Sequence, residues 1–338
     1  MTGEHLESAE AGAALAEVLA GNATDAQVAA FVTALRIKGE TVEELAGLVR
    51  TMLDFAQPME VPGELVDTCG TGGDGSSSIN VSTIAAFVVA GAGARVCKHG
   101  GRAASSASGS ADVLEALGVV IDLGPEEVTS CLGAAGMGFC FAPRFHPAMR
   151  HAIPIRRQLG VTTVFNFLGP LANPARARYQ VVGVSDSGMA EKMVGVLAAN
   201  GSTRAMVVHG HDGLDELSTT GPSTVHELMT APDGSVAVRT FVVDPAELGL
   251  APTDLKSLRG GDAAANAGLA RAVLRGDRGP HRDIVVLNAA AGLVVAGRAD
   301  DLVEGLGLAE ASIDDGRAAD VLERLITAST SAATSGPG

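Results

Sequence analysis

Apolar residues recur along the first sixty positions at the spacing of one helix face. Val28, Phe31, Val32 and Leu35 fall at i, i+3, i+4 and i+7, and Leu45, Leu48, Val49 and Met52 repeat the pattern. Each run has a start signal. Thr24 with Gln27, and Thr41 with Glu44, have the form of a capping box, in which side chains and backbone satisfy each other's free donors. Gly39 ends the first run, and Pro58 with Pro62 closes the unit, because proline cannot continue a helix. The pattern predicts a small all-helical domain over residues 1–62.

From Glu64 the texture changes to short β-branched runs alternating with helical ones. E64LVDTC69, A94RVCK98, Q180VVGVS185 and A205MVVHG210 read as strands; 80–91, 110–118, 189–199 and the stretch after Asp262 read as helices. This alternation predicts an α/β domain with a central, mainly parallel sheet, and such sheets carry ligands on the loops at the carboxyl ends of their strands. Residues 145–160 interrupt the rhythm as a cationic helical stretch, and 166–174 follow as a loop rich in glycine and proline. The domain expectation is therefore 1–62 helical, with part of 145–178 packed against it; 63–144 and 179–330 as the α/β domain; and a small, polar tail from Ser329, disordered over 331–338. The most apolar run, I84AAFVVAGAGA94, is half the roughly 20 residues a membrane span needs and reads as a buried helix.

Charge sharpens this picture. The 338 residues carry a formal net charge of -15, yet no Asp or Glu lies between Asp74 and Asp112, where Arg95, Lys98, His99 and Arg102 collect among glycines and hydroxyl residues. That is the composition of an anion site, with polyphosphate the natural anion. The acidic balance and the scarcity of aromatics, 3% with no Trp, argue against a nucleic-acid binder. Cys69, Cys97, Cys131 and Cys140 show no paired C-x-x-C spacing and read as reduced thiols; with an acidic N-terminus unlike a secretory signal, the expected location is cytoplasmic.

Three segments carry candidate chemistry. G70TGGDG75 matches the G-x-G-x-x-G dinucleotide pattern after a strand, but Asp74 would place a carboxylate against a pyrophosphate, and no acidic residue stands about 20 positions on to hold a ribose. Asp74 suits a ribose hydroxyl or a loop cap better. Asn80, Ser82 and Thr83 read either as N-caps of an apolar helix or, with the glycine loop upstream, as a phosphate cradle of free amides and hydroxyls. K98HGGRAASSASGS110 adds Lys98, one of four lysines, and the neutral donors Ser105, Ser106, Ser108 and Ser110.

Beyond the strand at 205–210, Asp212, Asp215 and Glu216 concentrate hard carboxylates that suit Mg2+; His209 and His211 raise a zinc alternative, for which no third His or Cys stands at ligand spacing. Arg156 and Arg157 read as an exposed helical pair, or as a fork gripping a carboxylate beside an apolar slot walled by Gly169 and Pro170.

These blocks, in this order, closely resemble the anthranilate phosphoribosyltransferases. The likeness rests on A29AFVTALRIKGET41, D67TCGTGGDG75, N80VSTIAAF87, K98HGGRAASSASGSADVLEALG118, F141APRFHPAMRH151, F165NFLGPLANPA175 and H209GHDGLDELSTTGPSTV225, with weaker similarity through N288AAAGL293. The resemblance implies a helical domain that forms homodimers, and transfer of 5-phosphoribosyl from phosphoribosyl pyrophosphate to the anthranilate amine with Mg2+, in tryptophan biosynthesis. Carried over by position, it implies that Gly70, Gly72, Gly73, Asp74, Ser78, Asn80, Ser82, Thr83, Lys98 and Ser105 contact phosphoribosyl pyrophosphate. Ser82, Asp215 and Glu216 would serve the metal. Gly70, His99, Gly101, Arg156, Gly169 and Pro170 would hold anthranilate, and Lys98, His99, Asp215 and Glu216 would carry catalysis. The chain departs from the family at Gly101, where the family has an Asn that helps hold the aromatic substrate.

Three rivals follow: a phosphoribosyltransferase for another aromatic amine or acid, favoured by Gly101; a pyrimidine nucleoside phosphorylase, disfavoured by the complete Asp215–Glu216 pair; and a non-catalytic nucleic-acid-binding paralogue, disfavoured by the charge.

Overall fold

The computed structural model describes residues 3–103 and 107–335. The chain opens with α1 (Ser8–Leu19), α2 (Asp25–Lys38) and α3 (Val42–Asp54). Both capping boxes form: Thr24 accepts from Gln27 N and Thr41 from Glu44 N, with the Gln27 and Glu44 side chains reciprocating. Gly39 ends α2 at φ 81°, a conformation that costs glycine little. The faces bearing Val28, Val32, Leu35 and Leu45, Leu48, Val49, Met52 are buried, as the periodicity predicts.

The α/β part then alternates: β1 (Val66–Gly70), α4 (Val81–Gly91), β2 (Val96–Gly100), α5 (Ser110–Leu117), α6 (Pro125–Ala135), β3 (Met137–Phe141). After α7 (Ala142–Phe145), a 3-10 turn at Pro147–His151, α8 (Ile153–Leu159) and α9 (Phe165–Leu171) come β4 (Tyr179–Gly183), α10 (Ser187–Ala199), β5 (Arg204–Gly210), β6 (Ser223–Thr230) and β7 (Val236–Val243). Four helices finish the chain: α11 (Ala263–Leu274), α12 (Pro280–Val295), α13 (Leu302–Asp314) and α14 (Arg317–Ser335). The sheet order is β3-β2-β1-β4-β5-β6-β7, parallel from β3 to β5 and antiparallel for the last two strands. Strand order reverses at β1, which pairs with β2 on one side and β4 on the other. In an open sheet that switch point is where a crevice forms at the carboxyl ends.

The strands are buried on both faces. Along β5, Ala205 and Val207 belong to one core, with α1, α3, α9 and α10, while Met206 and Val208 belong to the other, with α4, α12 and α14. Ala152, Ile155, Phe165, Phe167 and Leu168 share the first core, so the segment after α7 packs with the helical unit. The run from Ile84 is indeed a buried helix, which α12 approaches closely at Gly292; a Cβ there would meet Val89 at 2.7 Å. Among the described residues no helix is long and apolar enough to cross a membrane.

Four expectations are corrected. Residues 166–174 are not all loop: α9 runs to Leu171 with Pro170 in its last turn, and side chains supply donors to the carbonyls of Gly169 and Pro170. The cationic stretch 145–160 is broken into short pieces, each with proline at its start, where the missing amide is harmless. Strands β3, β6 and β7 are not among the predicted elements. Finally, 331–335 continue α14 rather than forming a disordered tail. Ser329 is fully buried and accepts from Val120 N at 3.1 Å, Thr330 and Thr334 bond back into the preceding turn, and α14 packs on α6 and α4. Residues 336–338 lie outside the described residues.

Candidate active site

At the carboxyl end of β1 the chain turns through Gly72, Gly73 and Gly75 at φ 67°, 80° and 70°. Only glycine adopts these angles without strain. Gly72 N is taken by Asp215, whereas the amides of Gly73 and Gly75 have no acceptor among the described residues. The Asp74 carboxylate stays inside the loop, accepting from Ser76 N at 3.2 Å and Ser76 Oγ at 2.6 Å, so it caps the turn. The loop ends at α4, whose first-turn amides are already taken, Val81 N by Ile79 O, Ser82 N by Glu216 and Thr83 N by Asn80 O. Asn80 does not cap α4 with its side chain. Its amide instead donates to Ser108 O at 3.0 Å and accepts from Asn266 Nδ2 at 2.9 Å.

Together with the ends of β2, β5 and α9, this loop encloses a cleft of about 340 Å³. Gly70, Gly72, Gly73, Asp74, Ser78, Asn80 and Ser82 line it, as do Lys98, His99, Gly101, Arg156, Gly169, Pro170, Asp215 and Glu216. Two expected residues are missing from the lining. Thr83 is fully buried, with its hydroxyl spent on Ser110 Oγ at 3.0 Å, and Ser105 lies outside the described residues.

The cleft floor is acidic. Asp215 accepts from Gly72 N at 2.7 Å, and Glu216 accepts from Ser82 N at 3.2 Å, so one carboxylate grips the glycine loop and the other the start of α4. Burial and the neighbouring Asp74 push the Asp215 carboxyl up to about 6; burial and Asp215 raise Glu216 well above the usual range. Gly70 and Gly183, paired across β1 and β4, form the seat: a Cβ on Gly70 would lie 2.3 Å from Asp215 Oδ2, and one on Gly183 would lie 1.6 Å from Asp215 O. Asn288 on α12 clamps Leu217 through both its N–H and C=O at 2.9 Å. Asp212 is not part of the floor; it holds Leu214 N, Ser218 Oγ and Thr220 Oγ1 within its own loop.

Lys98 is 1% exposed and donates to Thr68 O and, at 3.2 Å, to Ser82 Oγ. It is thus a buried charge beneath Ser82, flanked by the carboxylates of Asp67 and Glu216, rather than a free cation reaching into solvent. The other cations of the acid-free stretch contribute less than their number suggests. Arg102 is neutralised by Asp112 and Glu115, and Arg95 donates to Pro62 O at the opposite end of its strand.

The other end of the cleft is lined by α8 and α9. His99 Nδ1 lies 3.1 Å from Gly169 O; a carbonyl only accepts, so Nδ1 carries the proton and Nε2 is a buried acceptor with no partner. Burial, with His146 at a ring separation of 5.1 Å, holds the His99 pKa well below its usual value, and burial lowers His146 to about 4. Both rings are neutral at pH 7. The Arg156 guanidinium is half-buried with no hydrogen bond or ion pair among the described residues, and burial lowers its pKa. Arg157 is exposed. At Gly101 an added Cβ would meet only Ala142 Cβ, at 3.8 Å, so the backbone has room for a side chain.

The hard-oxygen set Ser82, Asp215 and Glu216 fits Mg2+, which prefers few protein oxygens and keeps places for water and phosphate. Zinc has no such support. His209 bonds Val184 O and His211 bonds Thr224 Oγ1; among the described residues no group of three His, Cys, Asp or Glu converges on a position for any metal. Residues the sequence did not single out also shape the site. Asp67, fully buried, accepts from His99 N and from Asn173 Nδ2 at 2.8 Å, tying β1 and β2 to the segment after α9. Gly183 and Asn266 are others; the doubled glycines before Asp262 are the one local hint of a close approach there.

Residues 1–56 match the helical bundle domain of the glycosyl transferase family, and 62–319 match its a/b domain. The anthranilate phosphoribosyltransferase of Chloroflexus aggregans is 53% identical over 325 residues, covering 96% of this chain and 94% of that protein; that of Moorella thermoacetica is 52% identical over 327 residues, covering 96% and 95%. Among solved structures, anthranilate phosphoribosyltransferase from Thermus thermophilus superposes with a TM-score of 0.91 at 43% identity, covering 97% of each chain. The Saccharomyces cerevisiae enzyme in complex with phosphoribosyl pyrophosphate and Mg superposes with a TM-score of 0.87 at 30% identity, covering 96% and 94%. With its glycine-loop cleft at the sheet's switch point and likeness over nearly its whole length, the chain belongs to the glycosyl transferase family and, within it, to the anthranilate phosphoribosyltransferases.

Proposed function

We propose that this protein transfers the 5-phosphoribosyl group from phosphoribosyl pyrophosphate to the amine of anthranilate, releasing pyrophosphate, as a step in tryptophan biosynthesis. The observation that carries this reading is the complementarity of the cleft's two ends. One end offers a glycine loop and hydroxyls over an acidic floor, suited to a magnesium polyphosphate. The other offers a half-buried guanidinium with no counter-ion and an imidazole nitrogen with no donor among the described residues. An ortho-aminobenzoate supplies both, its carboxylate to Arg156 and its N–H to His99 Nε2.

In the reaction the bond from ribose C1 to pyrophosphate breaks with its electron pair leaving on pyrophosphate, the bond from C1 to the amine nitrogen forms, and the proton lost by the amine passes to solvent. Asp215, Glu216 and Ser82 would hold Mg2+, which when bound neutralises the leaving pyrophosphate. The amide of Gly73 donates to a phosphate oxygen, with Gly72, Asp74, Ser78 and Asn80 shaping the loop. Lys98 acts from below, fixing the Ser82 hydroxyl. Gly169 and Pro170 wall the aromatic ring, and the neutral His99 orients the amine. Incubating the purified protein with phosphoribosyl pyrophosphate, Mg2+ and anthranilate tests this: phosphoribosylanthranilate and stoichiometric pyrophosphate are expected, and the absence of both refutes the reading.

Arg156→Ala should raise the anthranilate KM by about 1.5–3 kcal/mol, the range for a hydrogen bond to a charged group, and leave the phosphoribosyl pyrophosphate KM unchanged. Arg156→Lys should recover little of it, because a point charge does not reproduce a bidentate fork. Equal anthranilate KM values for Arg156→Ala and the parent would remove the assignment.

A second reading, transfer to a different aromatic amine or acid, is favoured by the open space at Gly101. Gly101→Asn should lower the anthranilate KM by about 0.5–1.5 kcal/mol, one restored hydrogen bond, if anthranilate is the native acceptor. If the space serves a larger ring, the Asn harms the best acceptor found by screening while helping anthranilate. The same proposal includes a cytoplasmic location, in line with four free cysteines, and a homodimer through the helical domain, taken as 1–62, where Ile37 is 82% exposed.

A further inference from the structure

The loop that cradles the anion is held only in part by its own residues, Asp74 capping Ser76 and Ser76 Oγ accepting from Ser78 N. Ser77 sits at φ 55°, a conformation disfavoured for a residue with a side chain, which persists where surrounding contacts over-determine it. Those contacts come from a strap nearly two hundred residues away. Ile79 N donates to Leu258 O at 3.1 Å, Gly260 N donates to Ser77 O at 2.9 Å, and Ser78 bridges Arg259. Leu258, fully buried, anchors the strap to the core.

Asn266, in the first turn of α11 and 3% exposed, joins strap to cradle. Its Oδ1 accepts from Gly261 N at 2.7 Å, and its Nδ2 donates to Asn80 Oδ1 at 2.9 Å. The orientations are forced at both ends of the chain of amides. Gly261 N–H only donates, so Asn266 must face it with oxygen; Ser108 O only accepts, so Asn80 must face it with nitrogen. Asn80 is therefore suspended between the strap and the loop that follows β2. Close approach is built in, since a Cβ on Gly260 would lie 2.3 Å from Asn266 Oδ1.

We infer that Asn266 is a positioning residue for the phosphate cradle: acting through Asn80, it sets the spacing between the 76–82 segment and the 107–109 segment. The inference rests on the reading of this cleft as a polyphosphate site. Asn266→Asp isolates the role. A carboxylate still accepts from Gly261 N but has no donor for Asn80, so Asn80 can satisfy the new carboxylate by flipping only if it gives up Ser108 O.

Magnesium pyrophosphate binding by calorimetry and steady-state kinetics are measured for the parent, Asn266→Asp and Asn266→Ala, with thermal unfolding alongside. The expected result is a tenfold or greater loss of pyrophosphate affinity, an equal rise in the phosphoribosyl pyrophosphate KM, and an anthranilate KM within twofold of the parent in both variants. Unchanged pyrophosphate affinity in folded variants overturns the inference while the parent's own binding upholds the cleft reading. If the parent binds no pyrophosphate, the cleft reading falls, and the inference with it. If neither variant folds, Asn266 belongs to the fold rather than the site, which overturns the inference as well.

Discussion

Replacing Asp215 and Glu216 together by Asn and Gln is expected to lower kcat/KM by three orders of magnitude or more, because several kcal/mol of charge stabilisation at the leaving pyrophosphate pass through these two carboxylates. The same change should raise thermal stability at neutral pH without added Mg2+. Burial and Asp74 push the Asp215 carboxyl up to about 6 from an ordinary 3.8, and burial and Asp215 raise Glu216 as well, so the folded state holds their protons more tightly than the unfolded one. Stability from Asp215 is then fully present below about pH 4 and is lost as pH rises through 6. The neutral amides remove that penalty, and a gain of a few degrees in Tm at about pH 7.5 is the predicted sign. Adding Mg2+ should stabilise the parent and not the variant. Retained turnover, or a variant that melts below the parent under metal-free conditions, would contradict the assignment.

Gly183→Ala should be nearly as damaging although it touches no substrate. The new methyl would lie 1.6 Å from the carbonyl oxygen of Asp215, a contact with backbone that no rotamer relieves. Overpacking of this kind destabilises by about 1–3 kcal/mol. The larger effect is on chemistry, since the 214–216 segment must move outward and a displacement of about 1 Å costs on the order of a hundredfold in rate. The loss should appear in kcat, with Mg2+ affinity weakened in parallel. A Gly183→Ala protein with parental kcat would show that the acidic floor tolerates repositioning. Ala at Gly297, which has nothing within 4 Å but a φ of 64°, separates the two effects: backbone strain alone, far from the cleft, should reduce stability and leave kcat intact.

Local signals were legible. Thr24 with Gln27 and Thr41 with Glu44 announced helix starts that form as read, since a capping box involves only four consecutive residues. The glycine loop was legible because positive φ at Gly72, Gly73 and Gly75 requires glycine, and the acidic pair because two adjacent carboxylates after a buried strand have few structural uses. The acid-free stretch leads to the cleft, but its charges do not act there as the composition suggested. Of its four basic residues, Arg95 and Arg102 are spent elsewhere, His99 is neutral, and Lys98 is buried with its ammonium donating to Thr68 O and Ser82 Oγ.

What the sequence alone determined is everything that depends on neighbours within a turn or a strand: the helical unit, the α/β alternation, the glycine loop, and the residue types available at each strand end. What only the tertiary structure decided is which of those residues meet. Gly70 and Gly183 become one seat because β1 and β4 are adjacent, a pairing set by the reversal of strand order and not by any local pattern. Asn80 is a tether rather than a cap because Asn266 and Ser108 arrive on either side of it, and Thr83, buried with the rest of α4, donates its hydroxyl to Ser110. A buried polar group must find a partner, and whether that partner is its own backbone, a residue 186 positions away or a ligand is settled only when the layers pack.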